Sequence, residues 1–210
     1  LTGVFDMSTV ELNDRVAKAI AAHLGKTPKP EPTSASVPPA APKAPTMLEH
    51  GHVWFSEVFG YKPKFGDFGV QWLETPDNPE IARLIPDIDP DYVLQQNEAA
   101  LLVAGMMDGD KTLITGPTGS GKSSLVKYVC AKLNRPFIRI NMSGDVESAS
   151  LFGTLVVRGG ATVWEDGAIT EAAKYGAVCL VDEWELMPAE IAMGMQNLLE
   201  DGGYLYLKEK

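Results

Sequence analysis

The run Gly116-Pro117-Thr118-Gly119-Ser120-Gly121-Lys122-Ser123 matches the spacing G-x-x-x-x-G-K-[ST]. Glycines at such spacing let successive backbone N–H groups turn inward around phosphate oxygens. A helix that follows adds its positive N-terminal end. Lys122 is expected to face solvent, pair only with phosphate and neutralise the β- and γ-phosphates of ATP. The Ser123 hydroxyl would ligate Mg²⁺, and Ser124 falls in the same ATP-binding turn. A glycine-rich turn without a ligand is the bland alternative. The apolar run Thr112-Leu113-Ile114-Thr115 before the motif, read as a short buried strand, argues against it. A dinucleotide fingerprint is excluded locally, because its glycine spacing does not recur.

A second chemical pair lies about sixty residues on. Asp182-Glu183 closes the apolar run Ala177-Val178-Cys179-Leu180-Val181. At that place Asp182 would hold Mg²⁺ through its water shell, and Glu183 would orient and polarise an attacking water. Acidic pairs at strand ends are commonly solvated loops; the glycine motif upstream turns the reading toward catalysis. The adjacent glutamate points to hydrolysis rather than phosphate transfer to an organic acceptor.

These groups need a scaffold of alternating strands and helices. A helix is expected through Glu98–Ala104 and another from Lys122 to Leu133. Phe137-Ile138-Arg139-Ile140 reads as a second strand and 177–181 as a third. Pro188 belongs at the first turn of a helix ending near Gly202. Such alternation implies an α/β fold with a parallel sheet and ligand chemistry at the strand C-termini. Two short apolar runs, Leu155–Val157 and Ala161–Trp164, flank Gly159-Gly160 and read as a β-hairpin. A hairpin there is unusual for a small-molecule kinase.

The remainder divides by composition. Residues 1–26 carry a capping box, Ser8-Thr9-Val10-Glu11, and then Leu12, Val16, Ile20 and Leu24 at helical spacing, stopped by Gly25. Residues 27–49 are a Pro- and Ala-rich linker that favours extended, polyproline-like conformations. Residues 50–84 form an aromatic-rich extension with Trp54, Phe55, Phe59, Tyr61, Phe65, Phe68 and Trp72. Aromatic and basic mixtures can stack bases, but packing onto a neighbouring domain is the preferred reading. His50 and His52 lack a third ligand nearby for a metal. The ATPase core is taken as 85–210.

The 210 residues are 45% hydrophobic and 22% charged, the range of a soluble globular protein. The two cysteines, Cys130 and Cys179, make no disulfide framework, which points to a reducing, cytoplasmic setting. No apolar run is long enough to span a bilayer, and no signal peptide is seen. A formal net charge of -10 argues against broad binding to nucleic acid or an anionic membrane. Yet Lys111 to Gly144 holds no acidic residue while Lys111, Lys122, Lys127, Lys132, Arg135 and Arg139 are basic. That local field suits an anionic ligand such as a nucleotide.

Taken with Val58-Phe59-Gly60, Pro86-Asp87-Ile88-Asp89-Pro90-Asp91-Tyr92, Leu133-Asn134-Arg135-Pro136, Arg139-Ile140-Asn141 and Val181-Asp182-Glu183-Trp184-Glu185, these motifs carry a resemblance. The chain resembles an AAA+ ATPase of the MoxR-like, helix-2-insert group, and more narrowly the CobS-type small subunit of aerobic cobaltochelatase. The resemblance implies a three-layer α/β/α P-loop fold with the hairpin inserted in helix 2. It implies a ring-like, hexameric homo-oligomer working with a von Willebrand-type subunit and a large chelatase subunit. It places Ile88 and Tyr92 near the adenine and the Gly159–Gly160 hairpin toward the ring centre. It puts sensor 1, sensor 2, the arginine finger and the lid beyond Lys210, with the chain there entering a hairpin before the next core strand. Related sequences also serve as chaperone-like remodelling ATPases. A nucleotide-gated binding module with little hydrolysis is the other expectation.

Overall fold

In a computed structural model the described residues are 51–74, 76–200 and 203–207. The N-terminal helix and the proline-rich linker read from the sequence lie outside them. The described chain forms two compact units, one of 51–72 with 93–113, the other of 73–92 with 114–207.

The first unit is built on aromatic residues. β1 (His52–Trp54) and β2 (Gly69–Gln71) pair antiparallel with Val53 opposite Val70, both fully buried. A short helix, α1 (Phe55–Phe59), starts between them under the carboxylate of Asp67, which accepts from the backbone N–H and hydroxyl of Ser56 at 3.0 and 2.5 Å. Phe55 stacks on Phe59 and Phe68 with centroids 4.4 and 4.9 Å apart, and Tyr61 meets it edge-on at 5.2 Å. The most buried of these rings cover one another. Burying each such side chain is worth roughly 1.5–3 kcal/mol. Helix α2 (Gln96–Asp108) lies against β2 and ends at Gly109 in the left-handed region. The contacts thus group this helix with the aromatic segment, although the sequence placed it in the ATPase core.

The second unit is the α/β layer. Helix α3 (Lys122–Lys132) runs from the glycine loop, and Asn134 at φ 53 stops it. Asparagine tolerates that conformation better than most residues. β3 (Phe137–Asn141) follows, then the short helix α4 (Ser148–Phe152), β4 (Gly153–Arg158) and β5 (Ala161–Asp166). Gly159 and Gly160, both at positive φ, make the two-residue turn that joins β4 to β5, as the Gly-Gly pair predicts. Helix α5 (Ala168–Tyr175) leads to β6 (Val178–Asp182), which pairs parallel with β3 from Phe137↔Val178 to Asn141↔Asp182. A 3₁₀ turn, Trp184–Leu186, precedes helix α6 (Ala189–Leu199). Pro188 stands just before that helix rather than inside its first turn, and the helix ends at Leu199 rather than near Gly202.

Alternation along β3 sets the layers. Ile138 and Ile140 are buried with Met142, Leu151, Ile169, Ala172, Ile191 and Met195 in one core. Arg139 points from the other face, where Ser123 of α3 sits. One expected strand is absent among the described residues. Residues 112–115 adopt no strand and are largely exposed, with Leu113 at 76%. A strand is held by its ladder partners, and no strand among the described residues pairs with this one. Of the stretch read as entering a hairpin, only residues 203–207 are described, and they carry no strand.

Candidate nucleotide-binding site

The glycine loop is open and conformationally demanding. Gly116, Gly119 and Gly121 take φ of 156, 77 and 85. The last two lie squarely in the left-handed region, where a Cβ collides with the following carbonyl. Thr115 to Ser120 are exposed, Gly121, Lys122 and Ser123 are half-buried, and Ser124 is exposed on the first turn of α3. Pro117 closes the loop by accepting from the Ser120 N–H at 3.3 Å.

Lys122 does not simply face solvent. Its ammonium group donates to the carbonyl oxygens of Gly116 and Pro117 at 2.9 and 3.0 Å. The cation is thereby held over the loop that would receive phosphate. Nothing covalent blocks its transfer to a better anion, since both carbonyls belong to exposed residues.

Ser123 and Asp182 stand 59 residues apart in sequence and meet in space. The Ser123 hydroxyl donates to Asp182 Oδ2 at 2.8 Å. Arg139 donates to the same oxygen through Nε at 2.9 Å and Nη2 at 2.5 Å. The Ser123 hydrogen bond, aided by Arg139, holds the Asp182 carboxyl below the usual aspartate range. It stays ionised at neutral pH. A hydroxyl and a carboxylate are hard oxygen donors, and Mg²⁺ is commonly held by one or two carboxylates together with substrate phosphates. The pair therefore fits that ion. Glu183, next in the chain, is exposed and sits at φ 54, ψ 43, one of the described non-glycine residues at positive φ. Such a backbone costs on the order of 1–3 kcal/mol and persists where surrounding structure imposes it.

Ile88 and Tyr92, the expected adenine contacts, differ in setting. Ile88 is about half exposed. Tyr92 rests on Tyr128 of α3 with ring centroids 4.7 Å apart. Burial raises both phenols, with Asp89 adding to the effect on Tyr128. Tyr128 escaped sequence reasoning; its place on the helix that follows the glycine loop was the available signal. Arg139 also escaped it. The sequence shows it as one of several basic residues and as part of Arg139-Ile140-Asn141, and only the strand register sets it beside Asp182.

The loop, the helix and the acidic strand end now form one arrangement. A family model for the AAA domain (dynein-related subfamily) matches residues 111–210. Over those residues the chain is similar to the AAA domain family. The AAA segment begins just before the glycine loop and takes in both β3 and β6, so the whole Lys122–Ser123–Asp182 arrangement falls within it. Protein NorQ of Paracoccus denitrificans is 34% identical over 112 residues, covering 53% of this chain and 42% of that relative. The aerobic cobaltochelatase subunit CobS of a Sinorhizobium species is 30% identical over 130 residues, 60% of this chain and 39% of its own. The von Willebrand factor A domain-containing protein 8 of Mus musculus is 33% identical over 96 residues, 45% of this chain and 5% of its own. The chain thus spans about two-fifths of the first two relatives. The MoxR-like resemblance read from the motifs agrees with these AAA relatives. Among the described residues no helix is long and apolar enough to cross a membrane.

Proposed function

We propose that the chain binds ATP with Mg²⁺ and hydrolyses it as a AAA+ motor subunit. The observation that carries this reading is the 2.8 Å contact of Ser123 with Asp182, which joins the glycine loop to the acidic strand end. The loop from Gly116 to Gly121 would cradle the phosphates with its backbone N–H groups. Lys122 would exchange the Gly116 and Pro117 carbonyls for phosphate oxygens, and Ser123 and Ser124 complete the turn. Ile88 and Tyr92 would border the adenine, with Tyr128 supporting Tyr92. Bound Mg²⁺ would neutralise phosphate charge, held through Ser123 and Asp182. Glu183 would accept a proton from the attacking water and orient it.

The AAA match over 111–210 supports ring assembly, most simply a hexamer. In such a ring a neighbour's arginine would stabilise the transferred phosphate, and the exposed hairpin tip at Gly159–Gly160 would face the centre. The relatives' names support two kinds of partner. The cobaltochelatase subunit favours metal insertion with a large chelatase subunit. The von Willebrand factor A domain-containing relative favours a von Willebrand-type partner. Remodelling of another protein partner is the alternative output of the same motor, in a cytoplasmic setting.

Calorimetric titration and steady-state turnover test the roles. Glu183→Gln should keep Mg²⁺–ATP bound but unhydrolysed, because an amide still hydrogen-bonds yet is a far weaker base. Asp182→Asn should weaken the Mg²⁺-dependent part of binding. Identical behaviour of the two variants would refute the division of roles.

A further inference from the structure

Asp182 Oδ2 is crowded. The Ser123 hydroxyl and two N–H groups of Arg139 all donate to this one atom, at 2.8, 2.9 and 2.5 Å. A carboxylate offers about four lone-pair sites over its two oxygens, so three donors on one oxygen saturate it. The guanidinium therefore stands where a cation would be drawn. We propose that Arg139 is a latch on the metal site, holding the Asp182 carboxylate in the absence of the ion and withdrawing when Mg²⁺ and nucleotide enter. This rests on the reading of Ser123 and Asp182 as the Mg²⁺ ligands.

The strand geometry makes the latch possible. Asn141 is the register partner of Asp182, and Arg139 lies two residues before Asn141 on the same face of β3. A long side chain spans that offset. The two partners also differ in exposure: the Arg139 side chain is 54% exposed and that of Asp182 17%. The arginine can swing into water while the aspartate stays seated at the end of β6. An ion pair so open to solvent is weak and easily exchanged. With three donors already on Oδ2, the water shell of a divalent cation cannot bond that oxygen while the guanidinium holds it, and the two like charges repel at close range. Metal binding must then displace Arg139, and part of the ion's affinity is spent on that exchange. Nucleotide without metal makes no such demand, since the phosphate-binding groups are Lys122 and the loop. In its released state Arg139 is a free cation at the edge of the site, available to an anion brought by metal-loaded nucleotide or by a neighbouring subunit.

The experiment measures linkage rather than turnover. The 210-residue chain is titrated with a non-hydrolysable ATP analogue, once in EDTA and once in saturating Mg²⁺, and the ratio of the two affinities is taken. The wild type should bind more tightly with Mg²⁺. Arg139→Gln should enlarge that ratio by about two- to fivefold, the range a half-exposed ion pair supports, with affinity in EDTA unchanged. Arg139→Lys, which keeps the charge but loses the fork, should fall between the two and serves if the Gln variant fails to fold by circular dichroism. Paramagnetic resonance of free Mn²⁺ should show tighter binding of Mn²⁺ to Arg139→Gln than to wild type. A ratio that stays the same or shrinks in both variants overturns the latch. So does a loss of affinity in EDTA, which would make Arg139 a phosphate contact. A wild type that gains nothing from Mg²⁺ overturns the metal-site reading itself, and the latch with it.

Discussion

The Lys122 ammonium group donates to the carbonyl oxygens of Gly116 and Pro117, 2.9 and 3.0 Å away, and so closes the loop that its own helix follows. The same side chain is the one proposed to receive phosphate, so the loop's conformation and its ligand compete for a single cation.

Lys122→Ala should remove nucleotide binding while leaving the fold intact. Each charge-assisted hydrogen bond is worth about 1.5–3 kcal/mol, so affinity should fall at least about tenfold. The freed carbonyls belong to exposed residues and can bond water, so the thermal midpoint should barely move. Calorimetric titration with Mg²⁺–ATP, beside a thermal melt, checks both halves. Unchanged affinity would remove Lys122 from the site.

Glu183 holds a left-handed backbone that suits Asn or Gly better than Glu. Glu183→Asn should therefore stabilise the unit by about 0.5–1 kcal/mol while abolishing hydrolysis. Urea midpoints and turnover on one preparation are the measurement. A variant that is less stable than wild type would show that the backbone there carries no strain.

Gly167 stands where a side chain has no room. A Cβ there would lie 2.4 Å from the carbonyl carbon of Leu151, 2.6 Å from its oxygen and 2.7 Å from the Gly153 nitrogen. Gly167→Ala must push α5 away from α4, at about 1–3 kcal/mol. Gly144→Ala meets open space and is the control. Equal denaturation midpoints for the two variants would contradict the close approach.

Cys130 is fully buried in α3, and burial pushes its thiol up from 9.0 to about 12. The folded protein holds this proton more tightly than the unfolded chain. The stability it contributes is complete below pH 9 and is lost progressively as pH rises toward 12. Alkylation at pH 8 should modify Cys130 only as the chain unfolds, read by mass spectrometry across a urea series. Labelling at the same rate with and without urea would contradict its burial.

Local patterns made several features legible in the sequence. The glycine loop follows from residues spaced within a single turn, and the β4–β5 hairpin from two apolar runs around Gly159-Gly160. The parallel partners Phe137–Asn141 and Val178–Asp182 follow from short apolar runs with turn residues beside them. The pairing of Ser123 with Asp182 was also inferable, because each sits at the end of an element whose place the motif dictates. Other features depend on neighbours distant in the chain. Thr112–Thr115 has the composition of a strand, but a strand needs a ladder partner, and none is paired with it among the described residues. Phe55, Phe59 and Phe68 are apolar enough for any interface; only their stacking shows that they cover one another. The steric role of Gly167 is set by the backbone of Leu151, not by its own neighbours. Arg139 reads as one more basic residue until the register of β3 on β6 brings it to Asp182. Chemistry written into one turn of chain can be read from residue types, because the backbone carries those residues together whatever surrounds them. Contacts between separate elements arise only when packing fixes register and distance, and that decision belongs to the tertiary structure.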